Sequence, residues 1–202
     1  MAYSLLALGD SYTIGEQVAI YDSFPYQAVQ LLRSMGFNFY APEIIAKTGW
    51  TSDELLAFVN QQHLLQQYDF VSLLIGVNNQ YRGWPLDTFG KEVGIMVQKA
   101  ISLTNNPDKV FMFSIPDWGV TPFASGKNKE EIAQGIDQFN LAVKNIAESS
   151  QIRFLEITEA QRKDSSASEF IAADGLHPSR KEYQKWAQLL AKEISKFLNP
   201  TL

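Results

Sequence analysis

The run Ala7-Leu8-Gly9-Asp10-Ser11-Tyr12-Thr13 lies where an apolar segment gives way to a turn. Ahead of it, residues 3–8 are apolar, short and almost uninterrupted, the pattern of a central parallel strand buried on both faces. Gly9 is expected to break that strand. A serine just past the carboxyl end of the first strand of an open α/β sheet stands in the crevice where such sheets bind ligands. Gly, Asp and Ser are also ordinary turn formers, so the tripeptide gains meaning only from what accompanies it.

The pattern repeats downstream. Ser23 can cap a helix with Phe24-Pro25 in its first turn and apolar positions at Ala28, Val29, Leu32 and Met35, ended by Gly36. Residues 43–46 form a short strand, followed by Lys47-Thr48-Gly49-Trp50 and by Thr51-Ser52-Asp53-Glu54, a capping box that opens the next helix. Residues 70–75 are a third buried strand with Gly76-Val77-Asn78-Asn79 as its exit. An aromatic loop through Tyr81, Gly83 and Trp84 leads to a helix carrying Phe89, Val93, Val97 and Ala100 on one face. Residues 110–115 and 152–157 are the fourth and fifth strands, and Ile132, Ile136, Phe139, Val143 and Ile146 stripe the helix between them at a 3.6-residue period. Residues 161–169 read as a polar surface segment. Ser179-Arg180-Lys181-Glu182 then forms a second capping box, before a helix striped by Tyr183, Trp186, Leu190, Ile194 and Phe197. Five strands alternating with helices give an α/β fold, a parallel sheet with helices on both faces, in a single domain over residues 1–202.

Near the end, Asp174-Gly175-Leu176-His177-Pro178-Ser179 sets a carboxylate and an imidazole three residues apart, directly ahead of the last helix. Ser11, Gly49 and Asn78 follow strands one, two and three, whereas Asp174 and His177 follow strand five; in a parallel sheet all these ends open on one edge. Four blocks in this order, carried by Ser11, Gly49, Asn78 and His177, resemble the SGNH hydrolases, also called the GDSL esterase/lipase family. The resemblance runs from the first strand to the last helix. It implies a three-layer α/β/α, flavodoxin-like five-stranded parallel sheet of order 2-1-3-4-5, with Asp174 completing a triad with Ser11 and His177. It also implies esterase, lysophospholipase, thioesterase or carbohydrate-deacetylase activity on a small acyl ester. Tyr12 stands where the family often has leucine, and Thr13 occupies the last position of what would be a G-x-S-x-G elbow, so the α/β-hydrolase motif is not met.

These residue types suit acyl transfer. A serine hydroxyl needs a neighbouring base, and histidine is the side chain whose ordinary pKa fits that task near neutrality. Just ahead of a helix N-terminus, the imidazolium formed by His177 is disfavoured, so a carboxylate such as Asp174 is needed to orient and stabilise it. The oxyanion would be met by the backbone N–H groups of Ser11 and Gly49 and by the Asn78 side-chain amide. Asp10 reads as a turn carboxylate bonding nearby backbone, Asn79 as a loop residue, and His63 as a helical residue at the edge of the core. Trp50, Tyr81, Trp84, Trp118 and Phe123 fall in loops on the active edge, where they either pack the domain or shape an acyl pocket.

Composition excludes much else. At 202 residues, 46% hydrophobic and 19% charged, the chain is long enough for a sizeable core. Its net charge of −5 offers no basic footprint for nucleic acid. The absence of cysteine removes disulfides and thiolate metal sites, and two histidines, His63 and His177, cannot build a histidine cluster. No metal, nucleotide or other cofactor motif is present, so none is expected. No apolar run approaches a membrane span and no signal-peptide pattern precedes the first strand, so a cytoplasmic location is expected. The alternatives are acyl transfer to an alcohol by the same triad, or a flavodoxin-like binding module without turnover.

Overall fold

In the computed structural model, strand β1 (Leu5–Asp10) is buried at every position and lies in the interior of the sheet, second from one edge. It pairs in parallel with β2 (Glu43–Lys47) on one side and β3 (Phe70–Leu74) on the other; β4 (Val110–Phe113) and β5 (Arg153–Leu155) complete the order β2-β1-β3-β4-β5. This is the flavodoxin-like order expected from the resemblance. The structure describes residues 2–164 and 168–199; residues 165–167, within the segment read as polar surface, lie outside the described residues.

Gly9 does not end β1. It pairs with Ala46 and Leu74, and the strand continues to Asp10. Thr13 folds back so closely that a Cβ on Gly9 would lie 2.1 Å from its Oγ1 and 2.4 Å from the Leu74 carbonyl oxygen. Close approach of chain to chain, rather than a break, is what the glycine permits. At β3, β4 and β5 the ladder stops short of the apolar run. Ile115 and Ile157 remain buried, but their N–H groups donate to Asn140 Oδ1 (2.7 Å) and Ser114 Oγ (2.8 Å) in place of a neighbouring strand.

Eight α-helices are described: α1 (Ser11–Ile14), α2 (Phe24–Ser34), α3 (Ser52–Gln61), α4 (Val77–Tyr81), α5 (Leu86–Thr104), α6 (Lys129–Ser149), α7 (Thr158–Asp164) and α8 (Arg180–Leu198). Right-handed crossovers place α2 and α8 together on one face and α3, α5 and α6 side by side on the other. Phe24 joins Phe113 (ring centroids 4.9 Å) and Trp186 (6.1 Å) under the first layer, while Phe89 and Phe139 (4.7 Å) fill the second.

Local chemistry differs from the sequence pattern at several points. The α3 capping box forms, with Thr51 N–H donating to Glu54 Oε2 at 3.0 Å. At α8 only half a box forms. Ser179 Oγ accepts from Lys181 N–H, but Glu182 turns inward to accept from Trp186 Nε1 (3.0 Å) and Lys185 Nζ (2.6 Å). Met35 is exposed at the end of α2 rather than on its apolar stripe, and His63 lies exposed beyond the end of α3 instead of at the core. Gln161, expected at the surface, is buried in α7, where its Oε1 accepts from Asp117 N–H at 2.7 Å. No helix among the described residues is long and apolar enough to cross a membrane.

Candidate active site

The carboxyl edge of the sheet gathers the four blocks. Ser11 opens α1 at the end of β1, and His177 Nε2 lies 3.0 Å from its Oγ although the two residues are 166 positions apart. The other ring nitrogen, Nδ1, is 2.5 Å from Asp174 Oδ2. Asp174 uses its second oxygen locally, accepting from the N–H groups of Leu176 and His177, both at 3.0 Å. That turn is therefore built by the same carboxylate that faces the imidazole. Burial alone would raise the pKa of Asp174, but the hydrogen bonds from the His177 side chain and from these two N–H groups outweigh it and hold the carboxyl below its ordinary value. Phe123 N–H donates to the Gly175 carbonyl at 2.9 Å, tying the turn to the loop after β4.

Ser11 and His177 are both buried, at 4% and 7% exposure, so the pair meets at the floor of a cleft and not on open surface. Tyr12, in the position where leucine is common, sets its ring against His177 (5.2 Å) and Trp186 (6.3 Å). The departure at this position thus braces the imidazole.

Gly49 has φ +82°, and its carbonyl accepts from Arg82 Nη2 at 2.7 Å. The Thr48 hydroxyl donates to Glu16. Both bonds fix the loop after β2 against the segments that follow α1 and α4. Asn78 sits in the first turn of α4, its Nδ2 donating to the Trp50 carbonyl at 3.0 Å and lying 3.4 Å from Asp10 Oδ2. The three oxyanion candidates Ser11, Gly49 and Asn78 line one cleft together with His177.

Asp10 and Asn79 carry more than their turn chemistry suggested. Asp10 accepts from Tyr12 N–H at 3.0 Å, as a turn carboxylate would, but it is fully buried, and burial pushes its pKa up to about 7 against the lowering effect of its hydrogen bonds. Asn79 is a buried helical residue rather than a loop one. It grips Ser52 twice, accepting from its N–H (3.0 Å) and donating to its Oγ (2.8 Å), which pins α4 to the start of α3.

The cleft has a volume of about 170 Å³. Of the five loop aromatics, Tyr81, Trp118 and Phe123 line it, whereas Trp50 packs on Phe58 (4.9 Å) and Trp84 lies outside. Thr48, Val77 and Leu176 complete the wall. Sequence reasoning missed Leu176 because it lies between the two residues that attracted attention. It also missed Gln80, whose Oε1 accepts from Trp118 Nε1 at 2.7 Å. A signal existed for the loop beyond: Asp117 ahead of Trp118-Gly119 is an Asx cap, and its Oδ1 accepts from Gly119 N–H at 2.8 Å.

A parallel α/β/α sheet with a Ser-His-Asp array at its carboxyl edge defines a class of hydrolase-like folds. Within it, the chain belongs to the GDSL-like lipase/acylhydrolase family, whose model matches residues 7–185. It is an ester-hydrolysing enzyme with small-molecule substrates. Similar solved structures include a lipase/acylhydrolase from Enterococcus faecalis (20% identity, 96% of each chain covered, TM-score 0.78). The acetylxylan esterase Axe2 from Geobacillus stearothermophilus matches at 20% identity over 95% of this chain and 94% of that one, with TM-score 0.73. TesA matches at 19% identity over 98% of this chain and 99% of that one, also with TM-score 0.73. At these identities the likeness establishes the fold. No curated protein matches the sequence.

Proposed function

We propose that the chain is a serine esterase that forms an acyl-enzyme on Ser11, with His177 as general base, Asp174 as its orienting partner, and Ser11 N–H, Gly49 N–H and Asn78 Nδ2 as oxyanion donors. The observation that carries this reading is the array of Ser11 Oγ, His177 Nε2 at 3.0 Å and Asp174 Oδ2 at 2.5 Å from Nδ1, placed at the floor of a cleft. With its proton on Nδ1 toward Asp174, His177 presents a free lone pair at Nε2. The Ser11 proton passes to Nε2 as Oγ bonds to the ester carbonyl carbon, whose π electrons move onto the oxygen. Collapse of that intermediate expels the alkoxide, which takes the proton from His177. Water then repeats the sequence on the acyl-enzyme and restores Ser11. Asn78 Nδ2 can serve the oxyanion by exchanging its long 3.4 Å contact to Asp10 for a bond to the developing charge, while the 3.0 Å bond to Trp50 keeps the amide oriented.

Base, orienting acid and donors all come from the chain, so this reading calls on no metal or cofactor. A serine-directed phosphonate tests it. Intact-mass analysis is expected to show one adduct per chain, and peptide mapping to place it on Ser11. An adduct on another residue, or none, contradicts the assignment.

A further inference from the structure

We propose that the cleft selects esters of short acyl groups, of about six carbons or fewer, and that Trp118 is the residue that sets this limit. The proposal rests on Ser11 carrying the acyl group and adds the size of that group. The cleft's volume of about 170 Å³ is close to that of an apolar cavity of about 150 Å³ that holds one benzene ring, six carbons. The leaving group's side of the ester shares that space, so about six carbons is the acyl length the cleft itself can cover.

The cleft wall is aromatic, and Trp118 is its buried, anchored member. The Trp118 ring is set edge-on to Tyr81 (5.2 Å) and Phe123 (6.0 Å), and only 6% of the residue is exposed. Its indole Nε1 is held by Gln80 Oε1 at 2.7 Å, and Gln80 belongs to α4, the same short helix that presents Asn78. Behind the ring, Asp117 caps Gly119 N–H with one oxygen and pairs with Arg162 Nε at 2.8 Å through the other, while Gln161 accepts from Asp117 N–H. The indole is thus anchored at its polar atom and through its backbone. Swinging it outward to admit a longer chain would break the Gln80 bond and leave the indole N–H without its acceptor. The rings of Tyr81, Trp118 and Phe123, with Val77 and Leu176, make most of the lining apolar, which suits an alkyl chain.

The test is kcat/KM on p-nitrophenyl acetate, butyrate, hexanoate, octanoate and decanoate. Wild type is expected to peak at hexanoate or below and to fall at least tenfold by decanoate. Trp118→Ala is expected to raise the octanoate-to-acetate ratio at least tenfold. Gln80→Leu, which removes the anchor and leaves the ring, is expected to move the same ratio in the same direction by less, and it carries the test if Trp118→Ala does not fold. An optimum at octanoate or longer, a ratio unmoved in the folded variants, or no hydrolysis of any of the five esters overturns the proposal. Failure of the Ser11 assignment shows up separately, as undiminished hydrolysis of these esters by Ser11→Ala.

Discussion

Asp10 Oδ2 lies 3.4 Å from Asn78 Nδ2, so the carboxylate next to the serine and the amide of the third block meet in the interior, 68 positions apart in sequence. The burial of this carboxylate, which the contact with Asn78 offsets only in part, has a thermodynamic consequence. Burial raises the pKa of Asp10 from 3.8 to about 7, so the folded protein keeps a proton that the unfolded chain releases at lower pH. Stability is therefore unaffected below pH 3.8, falls as pH rises between 3.8 and 7, and carries the whole penalty above that, at most about 4 kcal/mol. Asp10→Asn removes the ionisation and keeps an acceptor for Tyr12 N–H. It is expected to melt higher than wild type at pH 8, with the advantage shrinking toward pH 4, while an NH2 group facing Asn78 lowers kcat. Equal melting differences at both pH values would refute the buried ionisation.

Asp174→Asn tests the other carboxylate. An amide in this place presents the wrong partner to His177 Nδ1, and kcat is expected to fall by about 10²- to 10⁴-fold with a much smaller change in KM. The lowered pKa of Asp174 means that its hydrogen bonds stabilise the fold above its unfolded-state pKa and cease to do so as pH drops through the lower folded-state value. The gap in denaturation midpoint between wild type and Asp174→Asn should therefore close in acid. A variant with wild-type kcat would remove Asp174 from the array.

Asn78→Ala deletes a side-chain donor and leaves the backbone donors intact. A loss of about 2.7–4 kcal/mol in barrier, or 10²- to 10³-fold in kcat, is expected. Steady-state kinetics on an activated ester measures it directly, and a loss confined to KM would mean that the amide binds substrate without favouring the transition state.

Gly9→Ala probes the strand end. A Cβ would lie within 2.4 Å of both Thr13 Oγ1 and the Leu74 carbonyl oxygen, and a backbone oxygen cannot step aside as a flexible side chain can. Overpacking of this kind costs roughly 1–3 kcal/mol, and the shift falls on the turn that carries Ser11. Lower stability in urea together with lower kcat is expected; a variant with unchanged midpoint would show that the sheet accommodates the methyl.

The five strands and the turns at their ends could be read from the chain, because apolar runs of strand length and turn residues are local signals; the order of the sheet and the grouping of Ser11, Asp174 and His177 came with the resemblance to the SGNH hydrolases. What remained hidden depends on contacts between distant segments. Gly9 looks like a breaker until Thr13 is seen packed on it, and Asp10 and Asn79 look like turn residues until their burial is known. Glu182 matches a capping box but is drawn to Trp186, one turn further on, which no spacing rule weighs. Gln80 and Leu176 carry no motif, and only the fold sets them against Trp118 and the cleft.

The central claim is that Ser11 performs the chemistry, and hydrolysis of p-nitrophenyl acetate by wild type and Ser11→Ala, side by side without added metal, tests it most directly. The expected result is steady turnover by wild type and a loss of at least about 10³-fold in kcat in a variant of unchanged melting temperature, the residue being what oxyanion donors and binding alone retain. A folded Ser11→Ala protein within tenfold of wild type would contradict the account.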